Sequence, residues 1–430
     1  MKISLRLSSI GLRAALLGVT LMLCLGLIGF ELQRFITSVI ASTSIELDLA
    51  TLKSAADYFP TSARLHARLA ARLIESQSDN GQSHEALAES AFQHASRAVE
   101  LAPSNFEYRV LFSAAAELKG DLGAAESALR EAVRLASGNN NVHWQMANLC
   151  LRLGKTDEAL QEFRKVVEVE PLRLPNILNL VWRATSGDLA AMELVAGNDA
   201  QGKLMLAEFL TEQKRFDTAS QIFSQTDRAF RLQWPQTGRV LDGFLKARQW
   251  QLAERLWHDL MGSPNETTDS LLWNGGFEHT TRKGLTQFDW QLNNSNYARL
   301  AIQAGGRSGN KALRLAYTGV DTTRLDREAQ HLAVVTAGQA YRLECFAKPE
   351  KLVADEAPQI AVLRADNREL IAASFPVLPA ANDWQMLTAD FVAPADLSAV
   401  IVVIRQTPRY RYTEPTQGGI WFDDFSLKAQ

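Results

Sequence analysis

The spacing of hydrophobic positions changes twice along the 430-residue chain. Ala14 to Phe30 is a run of 17 residues without a charge. From about Ser54 to Met261, apolar residues recur at helical spacing in a background rich in Ala, Leu, Glu and Arg, which predicts amphipathic helices. After Pro264-Asn265-Glu266 that pattern stops, and short alternating runs between turn residues predict strands. Lys311 to Tyr317 places Leu313, Leu315 and Tyr317 on one face. Tyr341, Leu343 and Cys345 alternate with Arg342, Glu344 and Phe346, and Gln385 to Phe391 turns Leu387, Ala389 and Phe391 inward. Ala399 to Ile404 is apolar throughout, as a central strand is. Ile420 to Leu427 closes the chain. Together these runs predict a two-sheet β-sandwich.

The helical stretch repeats with a period of 34. Gly120, Ala125 and Leu129 return as Gly154, Ala159 and Phe163; Ala219 and Phe223 return as Ala253 and Trp257. Met146-Ala147 and Leu206-Ala207 hold one position in the first helices of their repeats. A small residue lets two helices approach closely, and the bulky residue four later fills the groove beside it. Glycine turns the chain between helices without a Cβ penalty. Pro103 and Pro171, which cannot continue a helix interior, close second helices. The pattern resembles the tetratricopeptide repeat family over about half the chain. Four repeats start near Phe106, Asn140, Ala200 and Trp234. A degenerate one precedes them, its two helices separated by a polar loop from Ser76 to Ser83. Leu172 to Asn198 breaks register and predicts an irregular helical pair. The resemblance implies a protein partner, chosen by variable residues on the concave face of the array.

Lys2, Arg6 and Arg13 precede the first apolar run, and Glu31 and Arg34 follow it. Positive residues on that flank predict an uncleaved single-pass anchor with everything after Phe30 outside the cytoplasm. The alternative is a cleaved leader. It finds no small-residue site at Glu31-Leu32-Gln33-Arg34, and Val39-Ile40-Ala41 lies far downstream. Leu23 before Cys24 is not the small residue that a lipoprotein signal wants.

The C-terminal part carries a second resemblance. Asn274-Gly275-Gly276-Phe277-Glu278 opens it, Gly306 to Leu313 follows, Tyr341 to Lys348 and Trp384 occupy the middle, and Trp421 to Leu427 ends it. In this order the segments resemble the galactose-binding-like jelly roll found in many carbohydrate-binding modules, over about Leu271 to Gln430. That family places its first and last strands side by side and often holds a structural Ca²⁺. The resemblance implies Glu278 and Asp423 as its carboxylates, with Asp424 behind them, since calcium takes hard oxygen ligands. Sugar binding needs flat aromatic faces flanked by hydrogen-bonding groups. The candidates are Trp290, Tyr297, Tyr410 and Tyr412. In the loop Gln406 to Gln417, Arg409 and Arg411 stand beside two of these tyrosines and suit an acidic sugar. Trp384 and Trp421 are expected in the core.

Composition narrows the field. At 47% hydrophobic and 22% charged residues the chain is globular, neither disordered nor a multi-pass membrane protein. A net charge of -3 gives no bulk attraction for nucleic acid. Three cysteines fit neither a disulfide scaffold nor a zinc pattern. No metalloprotease, phosphate-loop or nucleophile-elbow motif occurs. The expectation is multidomain: a membrane anchor over residues 1–34, an all-α tetratricopeptide-type solenoid over 54–262, and an all-β jelly-roll sandwich over 271–430. Its best function class is a non-enzymatic scaffold in a bacterial inner membrane, its bulk periplasmic or extracytoplasmic. Repeats would bind protein and the sandwich polysaccharide, by domain analogy in exopolysaccharide synthesis or export. A pure protein-interaction scaffold and a glycan-active sandwich enzyme are the alternatives.

Overall fold

The computed structural model describes residues 10–40, 47–76, 84–262, 269–409, 412 and 414–430. It is all-α up to Met261, and from Gln291 onward its regular elements are all strands. The chain divides into two compact units, Met1–Gly197 and Asn198–Gln430.

The first unit opens with α1 (Ile10–Ile40), a helix of 31 residues. Several of its large apolar side chains, among them Leu17, Met22, Leu23 and Leu27, are exposed. Among the described residues no helix is long and apolar enough to cross a membrane. This overturns the expected anchor, and with it the membrane partner and the single-pass inner-membrane topology from which the extracytoplasmic bulk is inferred. The uncharged run is 17 residues long, at the short end of what spans a bilayer.

The helices that follow pack as antiparallel neighbours. α2 (Leu49–Tyr58) rests on α3 (Ala63–Glu75), which pairs with α4 (His84–Leu101). The next two pairs are α5 (Phe106–Lys119) with α6 (Leu122–Leu135), and α7 (Asn140–Arg152) with α8 (Thr156–Val169). They begin where the 34-residue period places them. Their starts are fixed locally: the Asn105 side chain accepts from the Glu107 and Tyr108 N–H groups, and Asn139 does the same for Asn141 and Val142. Gly120 ends α5 in the left-handed region at φ 84°. A 3₁₀ turn at Pro171–Arg173 then leads into α9 (Leu174–Ala184) and the short α10 (Leu189–Ala196), the irregular pair that the register break predicts.

The second unit begins with α11 (Ala200–Glu212) and α12 (Phe216–Ser224). A short α13 (Arg228–Gln233) precedes α14 (Thr237–Lys246) and α15 (Trp250–Met261). Two five-stranded antiparallel sheets follow. One, in the order β1-β4-β9-β6-β7, holds Gln291–Leu292, Ala329–Val334, Ala399–Arg405, Gln359–Arg364 and Leu370–Ala373. The other, β2-β3-β10-β5-β8, holds Ala298–Ala304, Lys311–Tyr317, Gln417–Ala429, Ala340–Val353 and Gln385–Val392. Their inner faces share one core that includes Leu313, Leu343, Cys345, Val402, Ile420 and Phe422. The Asn274-Gly275 segment runs beside the last strand: Phe425 N–H donates to the Gly275 carbonyl at 3.0 Å. A Cβ on Gly275 would lie 2.0 Å from the Phe425 carbonyl oxygen, so no larger residue fits there.

Within this unit the helices and the sandwich are joined by aromatic packing. Trp257 on α15 is 0% exposed, and its indole N–H donates to the Leu285 carbonyl at 2.8 Å. Its ring centroid lies 5.2 Å from Trp273 and 6.0 Å from Phe288. Gln287 donates to the Asp242 carboxylate on α14 at 3.0 Å. Glu254 accepts from the backbone of Val334 on β4, and burial pushes its carboxyl up to about 7.

Ala125, Ala159, Ala219 and Ala253 are each 0% exposed, as close helix approach requires. Ala159→Leu should therefore overpack the α7–α8 pair and destabilise the protein by about 1–3 kcal/mol. Thermal melting read by circular dichroism checks this; an unchanged midpoint would contradict the close approach.

Candidate functional site

The outer face of the β2-β3-β10-β5-β8 sheet carries a shallow depression. Strand register builds a row across it. Arg314 on β3 pairs with Trp421 on β10, and Trp421 pairs with Lys348 on β5. Ala347 pairs with Gln385 on β8, so Trp384, one residue before, stands beside Lys348. Trp384 and Trp421 are half-buried and, with Lys348, Pro349, Glu350 and Gly305, line a depression of about 230 Å³. Arg314 Nε donates to Glu350 Oε2 at 2.8 Å, and its guanidinium lies 5.7 Å from the Trp421 ring centroid. The Arg314 and Trp421 hydrogen bonds hold the Glu350 carboxyl below its ordinary value. Lys348 Nζ is 3.9 Å from Asp383.

The expected place of these tryptophans was the core, and they are not there. The signal that finds them is parity. Ile420 and Phe422 are fully buried on either side of Trp421, and Leu387 and Ala389 face the core from β8, so odd and even positions settle the outward residues. Trp290 is the reverse case. It is 1% exposed, packed against Phe277, Phe425 and His331, and offers no face to a ligand. Tyr297 is half-buried against the same core. Of the Gln406–Gln417 loop candidates, Tyr410 and Arg411 lie outside the described residues. Arg409 Nε is 2.9 Å from Glu356. Tyr412 is 64% exposed, its hydroxyl 3.4 Å from Asp321.

Glu278 and Asp423 converge on one loop, residues 305–311. Asp423 Oδ2 accepts the Arg307 and Ser308 N–H groups at 2.6 and 3.2 Å, and Oδ1 accepts that of Asp424 at 2.8 Å. Glu278 Oε1 accepts the Asn310 and Lys311 N–H groups, both at 2.7 Å. Arg307 Nη1 donates to Asp424 Oδ2 at 2.6 Å. A Cβ on Gly309, at φ +63°, would lie 2.5 Å from Glu278 Oε1, so glycine is required where the loop meets that carboxylate. Calcium would need six or more converging oxygens, and in this structure N–H groups point at three of the four carboxylate oxygens of Glu278 and Asp423. Among the described residues there is no group of three or more His, Cys, Asp or Glu suited to a metal.

A second concavity lies among α11, α12 and α14. It measures about 600 Å³ and includes Glu208, Thr211, Phe216, Arg239 and Lys246 in its lining. Arg239 pairs with Glu208 at 3.2 Å, and burial raises the Glu208 carboxyl above its ordinary value.

Comparison with family models matches the tetratricopeptide repeat over residues 116–181. Comparison with curated proteins finds no match. Among solved structures, a thermophilic TPR protein of Thermus thermophilus is 21% identical over 32% of this chain and 70% of its own, with a TM-score of 0.28. A CBM4 structure is 16% identical over 37% of this chain and 99% of its own, with a TM-score of 0.28. The CBM22-1–GH10 modules of Clostridium thermocellum xylanase 10B, complexed with xylohexaose, are 16% identical over 33% of this chain and 26% of theirs, with a TM-score of 0.24. Identities this low reach no further than the fold, and the TM-scores are too low to bear on the site.

Burial pushes the Asp423 carboxyl up to about 6. Its unfolded value is about 4, so the folded state holds the extra proton between those two pH values. Stability contributed by this group is present below pH 4 and lost as pH rises through 6. Asp423→Asn should remove that component, flattening the fall in melting temperature between pH 4.5 and 7 relative to the parent. Parallel slopes for the two proteins would contradict it.

Proposed function

We propose that the chain is a two-module binding scaffold, its helical repeats taking a protein segment and its sandwich taking a glycan on the outer face of the β2-β3-β10-β5-β8 sheet. One observation carries the glycan half: Trp384 and Trp421 line one depression, flanked by paired polar groups. Sugar C–H faces are apolar and their rims carry hydroxyls, so an aromatic floor edged by hydrogen-bonding heads complements them. The protein half rests on the repeat match over residues 116–181 and on the concavity among α11, α12 and α14. A hard-cation site has no part in this proposal. Neither the Tyr412 ring nor the Arg409–Glu356 pair shares the depression.

Calorimetry of the full chain against a panel of soluble glycans tests the reading. Trp384→Ala and Trp421→Ala should each weaken binding by about tenfold or more. Tyr412→Ala should leave it nearly unchanged. Binding that survives both tryptophan substitutions but fails with Tyr412→Ala would move the site to the 406–417 loop. The absence of binding to any glycan would overturn the glycan half.

A further inference from the structure

Away from the sandwich, two histidines meet across the first antiparallel helical pair. His66 on α3 and His94 on α4 bring their Nδ1 atoms to 3.0 Å, with ring centroids 5.2 Å apart and ring planes at 20°. His66 Nε2 lies 3.2 Å from the Pro60 carbonyl oxygen. A carbonyl only accepts, so that nitrogen carries a proton and the neutral His66 ring has its Nδ1 lone pair left to offer. The donor across the helices is then His94 Nδ1–H. The contact has room for one proton. If both Nδ1 atoms carry one, two N–H groups face each other, and repulsion between two charged rings replaces the hydrogen bond.

The surroundings favour the neutral pair. His66 is 6% exposed. Beside His94 on α4, Ala91 and Ala95 are fully buried in one cluster with Leu69, Ala70 and Leu73 of α3. α2 brings two charges: Asp57 favours a proton on His94 and Lys53 opposes it. Burial first, and the His66 ring second, outweigh Asp57 and hold the His94 imidazole below its ordinary value. α5 turns Leu111 and Phe112 to the same core, and its Lys119 pairs with Glu89 of α4 at 2.8 Å. α1 meets α3 at Arg64, whose Nη1 donates to the Ser38 hydroxyl at 3.2 Å. In an unfolded chain a histidine titrates near pH 6.5, roughly its free value. The folded state therefore binds fewer protons here. The stability that the pair contributes is complete above about pH 6.5 and is lost as pH falls through the lower folded value.

We infer that His66 and His94 form an acid-sensitive latch between α3 and α4, closed while one proton lies between their Nδ1 atoms and opened when a second is added there. Opening frees the α3–α4 pair and leaves α5–α6, whose residues 106–135 include no histidine, closed. Acid thus loosens one end of the array rather than softening every pair alike. The latch does not depend on what the sandwich binds.

Amide hydrogen exchange of the full chain, read by mass spectrometry over residues 63–75 and 84–101, tests the latch, with 106–135 as an internal reference. Each rate is divided by that of the same peptide in the unfolded chain at the same pH, which removes the intrinsic pH dependence. Between pH 7 and pH 5 the corrected rates of α3 and α4 should rise by about tenfold or more relative to α5 and α6. His94→Asn keeps an amide donor for His66, does not titrate, and can turn its oxygen to a protonated ring. It should hold the corrected rates of α3 and α4 within about twofold over the same range. His66→Ala removes the contact at every pH, so α4 should exchange fast already at pH 7 and change little in acid. Equal pH ratios for the two helical pairs in the parent protein would overturn the latch, and so would a His94→Asn protein that keeps the parent's pH dependence. The parent's own profile decides the matter if either variant fails to fold.

Discussion

Backbone N–H groups of one short loop point at two carboxylates that the chain supplies from opposite ends of the sandwich. Glu278 comes from the opening segment and Asp423 from the last strand, and residues 307–311 donate to both. Anionic acceptors on backbone donors make stronger hydrogen bonds than neutral ones, so the loop is held firmly in place. Gly305 at its start is part of the depression that Trp421 lines. The loop thus fixes one wall of that depression, and the bulge between Asp423 and Ser426 is where β10 turns its carboxylate toward it. Burying Asp423 raises its proton affinity, which the three N–H donors oppose but do not cancel.

A second constraint joins the last helices to the sandwich inside the same compact unit. Trp257 fills the groove beside Ala253 as the repeat pattern requires, and its indole reaches Leu285 and Trp273 beyond the helices. A repeat array needs a cap that covers the apolar side of its last member. Here the sandwich's opening segment does that work, with Gln287 and Glu254 satisfying polar contacts around the aromatic cluster.

What is legible in the sequence follows from which interactions are local. Helix starts at Phe106, Asn140 and Ala200 and the irregular pair after Pro171 can be read because caps, small residues and prolines act within a few positions. The strands over Lys311–Tyr317 and Gln385–Val392 can be read because side-chain parity is local too. Parity applied to the aliphatic residues but not to the tryptophans inverts the site: it offers Trp290 to a ligand and Trp421 to the core. The carboxylates Glu278 and Asp423 do reach one place, but their partners are backbone N–H groups of a distant loop. Nothing in residue identity marks a backbone donor. The apolar run at Ala14–Phe30 has the composition of an anchor, yet among the described residues no helix is long and apolar enough to cross a membrane.

The two sheets of the sandwich have different neighbours. β4, on the β1-β4-β9-β6-β7 sheet, meets α15 through Val334 and Glu254, and the loop after β6 approaches Arg248, whose guanidinium is 3.9 Å from Asp366. Those contacts tie that sheet to helices. The β2-β3-β10-β5-β8 sheet carries its paired charges and two tryptophans outward. Half-buried tryptophans on a strand face are expensive to leave wet unless something covers them, because a large indole surface is apolar. Their polar surroundings argue against a protein-like apolar cover and for a ligand that is apolar on its flat face and hydroxylated at its edge.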